Sequence, residues 1–370
     1  MTMLTVETIT DERKLDLLAP EWEQLDASLS PRTPFTSPLW TRAWWRNYRR
    51  DGFVRDDLRV YVLRDASRRL VAVAPMMLTH RPARGPFRAR ELQFIGADTY
   101  VTELRGPICR LEAMPEVVKA LSAHLMGVAH DWDWVQWRGL RKSEEQDDWP
   151  RRAVPLEQYV ETPNYYLPLA ETWDAFKAGL PRNIKESLRK CYNSMARDGH
   201  AFEIRVVEDP AEAGRALERF LELHRGRAEA DAAVQHLDVF AQENGRRFLF
   251  DYGQAMAEAG NLRIFQMLVA GQVVATRIGF VLGDEIYLYY SGYEPEWGRY
   301  SVMTTVVAEA IQWAIGKGFK ILNLSTGTDV SKTRWRPERV LYAGGFQRSS
   351  AIASRVAFSL LDAARRRGRG

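Results

Sequence analysis

The chain has 370 residues, 46% of them hydrophobic and 27% charged, with a formal net charge of +4. That is enough apolar surface for about two domains, and too little net charge for a general nucleic-acid-binding field, most of the excess sitting in the terminal RRRGRG. Cys109 and Cys191 are the only cysteines, which excludes a disulfide framework. No segment reaches the roughly 18 uninterrupted apolar residues of a membrane span, and MTMLTVETITDERK lacks the basic and apolar regions of a secretory signal. The expected location is the cytoplasm.

The first half opens with a predicted strand at 4–8 and a helix over 15–25. A second helix, SPLWTRAWWRNYRR, starts at Ser37, with Pro38 suited to the first helical position. Three β-type runs follow, LRVYVLRD, LVAVAPMML and RELQFIGAD, then a helix over 115–129 and a strand, WDWVQWRGL. The acidic stretch RKSEEQDDWPRR reads as an exposed loop. Beyond it come a strand and helix in YYLPLAETWDAFKAGLP and an amphipathic helix in PRNIKESLRKCYNSMARDG. The stripe of that second helix is Ile184, Leu188, Cys191 and Met195.

The second half repeats this order. Strand AFEIRVV precedes helices through DPAEAGRALERFLELHRGRAE and over 237–245, then the runs LRIFQMLVA, QVVATRIGFVL and EIYLYYSGY, joined by Ala270-Gly271 and Gly283-Asp284 turns. A helix from Ser301, a strand KILNLST, a loop and a last strand near VLYAGGFQ complete it. Three antiparallel strands, a helix and a returning strand make an α+β layer, and it occurs twice. The expected division is 1–160 and 161–370.

The stretch LYYSGYEPEWGRYSVMTTVVAEAIQWAIGKGF combines a strand, a tight loop and a helix. Strict alternation puts Ile286, Leu288 and Tyr290 on one face of the strand, and Tyr287, Tyr289 and Ser291 on the other. Ser301 is the expected N-cap, its hydroxyl accepting from a first-turn N–H. Gly298 lets backbone approach a ligand, and Arg299 adds charge beside the first-turn N–H groups. The loop therefore suits a phosphate, although most capped helices bind only water.

This strand–loop–helix–strand unit resembles the acyl-CoA-binding core of the GNAT acyltransferase fold. More specifically the chain is similar to the BioF2-like, cellulose-biosynthesis-associated (CelD/BcsL-type) acetyltransferases, relatives of the FemAB aminoacyl transferases. The matching pieces are PFTSPLWTRAWW, LPRNIKESLRK, LHRGRAE, VATRIGFVLGDEIYLYYSGYEPEW, SVMTTVVAEAIQWAIGKGFKILNLSTG, and Lys332 with Trp335. The resemblance implies two tandem GNAT-like domains, the second carrying the donor site, with acetyl-CoA or another acyl-CoA as co-substrate. It places the donor at Ser291, Gly298, Arg299, Tyr300 and Ser301. One departure stands out: the loop reads WGRYS, without the second glycine of the usual GNAT pyrophosphate loop.

Acyl transfer to an amine needs a base and a donor for the carbonyl oxygen. His224, in LHRGR, is the candidate base, the alternative being a capping or structurally bonded histidine; Tyr289 is the candidate donor to a leaving thiolate. Tyr287, Asp329, Lys332, Arg334 and Trp335 are candidates for the acceptor cleft. In STGTDVSKTRWRP three cations flank an indole, which suits a sugar-phosphate or nucleotide-linked acceptor, or is simply a solvated basic loop. Arg182, Lys185 and Arg189 share one helix face, and the basic tail ASRVAFSLLDAARRRGRG suits peripheral contact with anionic lipid. No nucleophile elbow, Walker loop or HExxH occurs, and no metal site is expected. The reading is an N-acyltransferase acting on a small or sugar-linked amine in exopolysaccharide or cell-envelope synthesis. Its rivals are a Fem-like transferase using aminoacyl-tRNA or acyl-carrier protein, which alone would bring in a nucleic acid, and a non-catalytic subunit of a polysaccharide synthase.

Overall fold

In the computed structural model, which describes residues 4–85, 88–144, 146–230, 236–352, 354 and 356–359, the two halves of the sequence fold by the same plan. In the first, β1 (Thr5–Ile9) leads into α1 (Glu12–Ala27), where Asp11 caps by accepting from the Arg13 N–H. Helix α2 (Pro38–Tyr48) begins where its local chemistry dictates. Ser37 Oγ accepts from the Trp40 N–H at 3.1 Å and Pro38 occupies the first turn. Strands β2 (Arg55–Arg64), β3 (Leu70–Arg81) and β4 (Ala89–Phe94) pair antiparallel in sequence, and the two-residue β5 (Ile108–Cys109) pairs with β3. Helix α3 (Met114–Gly127) carries the chain back to β6 (Trp134–Arg141), which runs parallel to β4. The acidic stretch expected to be a loop contains the short helix α4 (Trp149–Ala153), because Trp149 and Pro150 are buried and pin it down.

Strand β7 (Glu157–Pro168) follows, then α5 (Trp173–Gly179), α6 (Arg182–Arg197), β8 (Phe202–Val207) and α7 (Pro210–Glu229). Helix α8 (Glu243–Glu258) begins nearly two turns after the start of the 237–245 helix expected from sequence and runs more than three turns beyond its expected end. Gly245 and Gly253 disguise it, yet both are buried, and a Cβ on Gly253 would sit 2.8 Å from the Leu217 side chain of α7. The glycine is the condition for close packing of the two helices. Strands β9 (Leu262–Val269), β10 (Gln272–Leu282) and β11 (Glu285–Tyr293) form consecutive hairpins. Ala270 and Gly271, at φ 49° and 76°, make the expected tight turn between the first two. Helix α9 (Val302–Gly316), strand β12 (Ile321–Thr326), the one-turn α10 (Val330–Thr333) and β13 (Glu338–Arg348) complete the described elements.

The residues divide into two compact units, Met1–Ser30, Phe35–Pro163 and Val340–Gly370 forming the first, and Pro31–Pro34 with Asn164–Arg339 the second. Strand order is β1-β2-β3-β4-β6-β13 in the first and β8-β9-β10-β11-β12-β7 in the second. Each is an antiparallel meander closed by one parallel strand that a helix delivers, the α+β layer expected twice. The strand beside β6 is the last described one, β13, with Tyr342 opposite Arg141 and Arg348 opposite Trp134. Gln347, on β13, accepts from Trp137 Nε1 at 2.8 Å, so β13 is tied into the first unit's core.

In the first unit α3 packs Val117, Val118, Leu121 and Leu125 on Ala74, Met76, Leu92 and Val135. In the second, α6 and α9 cover one sheet face. Ile184, Leu188 and Met195 join Val302, Val306, Ala310 and Ile311 over Phe265, Met267, Ile286, Leu288 and Leu322. Among the described residues no helix is long and apolar enough to cross a membrane. The basic end of the tail, residues 360–370, lies outside them.

Candidate active site

The site is built in the second unit, where β11 and β12 part. Their parallel pairing covers only Glu285–Tyr287 against Ile321–Asn323. Two distortions then separate them. On β11, Arg277 faces Ser291 and Gly279 faces Leu288, so Ile278 alone opposes both Tyr289 and Tyr290. This is a β-bulge, and it bends its strand. It also overturns strict alternation: Tyr290 lies with Tyr289, their rings 4.6 Å apart, and packs on His224 and Phe240 rather than joining Ile286 and Leu288. On β12, the register to β7 shifts between Asn323 and Thr326, Ser325 takes φ 74°, and Asn323 Oδ1 accepts from the Ser325 N–H at 2.8 Å. Thr326 then pairs with Asn164.

Buried polar atoms gather beside this gap. Asn323 Nδ2 and both side-chain polar atoms of Asn164 lack hydrogen-bond partners, although the residues are 1% and 0% exposed. Orphaned buried amides are rare, and here they suit a polar, extended guest between two strand edges. The first unit has the same parallel pair, Glu91–Gln93 with Trp134–Gln136. There the backbone of Arg105 and Gly106 lies directly against Arg138 and Gly139, a Cβ on Gly139 falling 2.1 Å from the Arg105 carbonyl oxygen. That unit's own chain fills the corresponding place.

After β11 a 3-10 turn, Pro295–Tyr300, leads to α9. Ser301 does not cap as expected. It adopts the left-handed conformation, φ 55° and ψ 38°, and makes no side-chain cap bond. Its N–H donates to Gly298 O at 2.9 Å, and its own carbonyl accepts from Thr304 and Thr305, at 2.8 and 3.3 Å. The entry is set by backbone because Tyr300, 3% exposed, is anchored in the core with its hydroxyl on Asp198 at 3.0 Å. Arg299 lies over the Tyr300 ring, and Gly298 abuts the Tyr293 ring. The N–H groups of Val302 and Met303 precede the first helical bonds and face outward from the helix end. A cation reaches this turn from an unexpected quarter: Arg334 Nη1 donates to Thr304 Oγ1 at 2.9 Å.

Opposite stands the C-terminal part of α7. His224 is 3% exposed, boxed by Phe220, Phe240 and Tyr290. Its Nδ1 is 2.9 Å from the Ser291 carbonyl, which can only accept, so Nδ1 carries the hydrogen and Nε2 the lone pair. Nε2 has no hydrogen-bond partner, and the Asp238 carboxylate lies 3.9 Å away. Burial lowers the imidazole pKa below its ordinary value, against the opposing pull of the Ser291 carbonyl and Asp238. His224 is neutral at physiological pH. One turn further on, Arg227 donates to Ser291 Oγ at 2.8 Å and to His236 Nε2 at 2.7 Å. Arg227, His236, Asp238, Asn164 and Asn323 were not singled out by sequence. The available signal was the spacing in LHRGR, which puts Arg227 on the same face as His224.

The acceptor candidates divide. Tyr287, fully buried, sits in register between Phe280 and Asn323, and Tyr289 is 2% exposed against Phe280 and Phe240. Lys332 donates to the Thr326 carbonyl and lies 3.3 Å from Asp329, which also accepts from Ser331. Burial opposes the Asp329 charge, but Ser331 and Lys332 prevail and hold its carboxyl below the usual range. Trp335 is not a displayed stacking surface. It is 2% exposed and part of the core, because the helical turn of α10 rolls its ring inward. The expected triad of cations about one indole is therefore dispersed, with Lys332 tying its own loop and Arg334 reaching α9. Of the basic residues on α6, Lys185 donates to the Ala178 carbonyl and Arg182 pairs with Glu186.

Residues 182–334 match the family model described as acetyltransferase (GNAT) domain. Among curated proteins none matches the chain by sequence. The structure of FemX is similar in fold at 11% identity, covering 92% of this chain and 96% of that one, with a TM-score of 0.58. So is the C-terminal DUF2156 domain of an Agrobacterium fabrum protein bearing the name lysylphosphatidylglycerol synthetase, at 13% identity, 95% and 96% coverage and a TM-score of 0.51. Both likenesses concern the fold. Residues 182–334, which hold the parted strands, the α9 entry and His224, form an acetyltransferase (GNAT) domain, and the chain that carries them is an acyltransferase.

Proposed function

We propose that this chain is an N-acyltransferase that takes its acyl group from acyl-CoA and delivers it to an amino group of a small or sugar-linked acceptor, as the resemblance to BioF2-like, cellulose-biosynthesis-associated acetyltransferases implies for exopolysaccharide or cell-envelope synthesis. The observation that carries the reading is the parting of β11 from β12 beside orphaned buried amides, with the α9 N-terminus following directly on β11. An amide-bearing arm fits between such strand edges, and Asn323 and Asn164 offer it the missing partners. The first-turn N–H groups of α9, with Arg299 and Arg334 nearby, suit a pyrophosphate. Bound acyl-CoA supplies an activated thioester carbonyl.

The chain's own contribution is to handle protons. An attacking amine must lose one as its nitrogen–carbon bond forms and the carbon–sulfur bond breaks. His224 is the base on this reading. Its Nδ1–H is fixed on Ser291, which leaves Nε2 as the nitrogen that takes the proton, and Asp238 stabilises the imidazolium that forms. Tyr289, on the bulge, is the group closest in character to a donor for the departing sulfur.

Calorimetric titration with CoA, acetyl-CoA and a phosphate-free pantetheine tests the donor. One equivalent of acetyl-CoA per chain is expected, since the matching place in the first unit is filled by Arg105 and Gly106. Pantetheine should bind far more weakly. Absence of heat at millimolar acetyl-CoA from folded protein would refute the donor assignment. It would favour aminoacyl-tRNA or acyl-carrier protein, the reading that the single glycine of WGRYS supports.

A further inference from the structure

We propose that Arg227 binds an anionic group, carboxylate or phosphate, on the acceptor, and so selects acceptors that carry a negative charge close to the reacting amine. The inference rests on the acyltransferase reading of the cleft and names the acceptor's chemical class.

Arg227 is half-buried, and every partner it has is neutral. Nη1 donates to the Ser291 hydroxyl and Nη2 to His236 Nε2. A guanidinium only donates, so His236 accepts through a lone pair and carries no charge at that nitrogen. Arg227 Nε is buried without a partner, and the face of the guanidinium lies 5.7 Å from the centre of the Tyr293 ring. Among the described residues no carboxylate lies within ion-pair distance of it. The contrast with other cations of the same unit is direct. Arg219, two turns earlier on α7, pairs with Glu222 and Glu294; Arg263 pairs with Glu208; Lys332 pairs with Asp329. Asp329, whose charge Arg227 feels at longer range, is already engaged by Ser331 and Lys332.

A guanidinium withdrawn from water without a counter-ion is costly, and a planar fork with a donor to spare is matched by carboxylate or phosphate oxygens. Its placement fixes what it would read. Ser291 holds His224 through its carbonyl and Arg227 through its hydroxyl, directly after the bulge. An anion on Arg227 therefore stands beside the base that takes the amine's proton, which ties the charge and the amine to one acceptor.

The test compares amines that differ only in the anion. Glucosamine 6-phosphate is set against glucosamine, and β-alanine against its amide, with acetyl-CoA as donor. Wild type should prefer the anionic member of one pair by about tenfold or more in kcat/KM, the size expected of hydrogen bonds to a charged partner. Which pair shows the preference separates phosphate from carboxylate. In Arg227→Gln the ratio should fall toward one, and Arg227→Lys, which keeps the charge but not the fork, should lie between. Thermal shift with inorganic phosphate and with acetate reads the same site without turnover. Wild type should be stabilised more than Arg227→Gln by at least one of them. Equal rates for both members of both pairs, or equal shifts in wild type and variant, would overturn the proposal. Because the shift needs no donor, this result is independent of whether acetyl-CoA binds.

Discussion

Gly292→Ala puts the coupling between β11 and α7 to a direct test. A Cβ built on Gly292 lies 2.4 Å from the His224 nitrogen, 2.5 Å from the Leu223 carbonyl carbon and 2.8 Å from Leu223 Cβ. Two of these obstacles are helix backbone, which no rotamer change relieves. The added methyl must therefore push α7 away from the strand. Overpacking of this kind costs about 1–3 kcal/mol, and rigid obstacles place Gly292→Ala in the upper part of that range. The same displacement lengthens the His224–Ser291 and Arg227–Ser291 hydrogen bonds, and an ångström of misplacement costs up to about 10²-fold in rate. Gly214, in the same helix with nothing within 4 Å of an added Cβ, is the control. Gly214→Ala should leave stability unchanged or raise it by up to about 1 kcal/mol, since alanine is the better helix former. Urea unfolding gives the stability of each variant, and acetyl transfer its activity. If Gly292→Ala matched Gly214→Ala in both, the close approach of α7 to β11 would not be what holds His224 in place.

Three further outcomes are expected. Trp335→Ala should destabilise the chain by about 3–5 kcal/mol in chemical denaturation, as a buried core ring does, instead of acting only on an acceptor's KM. Ser301→Gly should raise stability by about 0.5–1 kcal/mol by relieving a left-handed serine that makes no cap bond; a clear loss would restore the side-chain cap. His224 has its pKa lowered by folding, so the unfolded chain binds more protons below about pH 6.5. The His224 contribution is thus fully present above that pH and is lost as the pH falls toward the folded value, and His224→Asn should flatten this part of a stability–pH profile. Activity that needs the neutral imidazole should fall over the same acidic range.

The sequence by itself determined the local elements and their order. Ser37-Pro38 starts α2, the Ala270-Gly271 pair turns β9 into β10, and the stripe Ile184, Leu188 and Met195 marks the buried side of α6, because capping, turn geometry and periodicity act within a few residues. It also led to LHRGR and to the strand–loop–helix after Tyr290, since a motif survives as a string. Tertiary structure alone decided the rest. The return of β13 to the first unit, beside β6, joins strands about two hundred residues apart in sequence, which no local signal can encode. The bulge that turns Tyr290 toward His224 appears only when β11 is set against β10, and the left-handed Ser301 only when Tyr300 is anchored on Asp198. The burial of Trp335 and the reach of Arg334 to Thr304 are likewise properties of packed neighbours. Above all, Arg227 is an ordinary basic residue in the string. What distinguishes it is that Ser291 and Tyr293, far along the chain, join His236 in surrounding it with neutral partners, and charge balance is a property of a place in the fold, not of a position in the sequence.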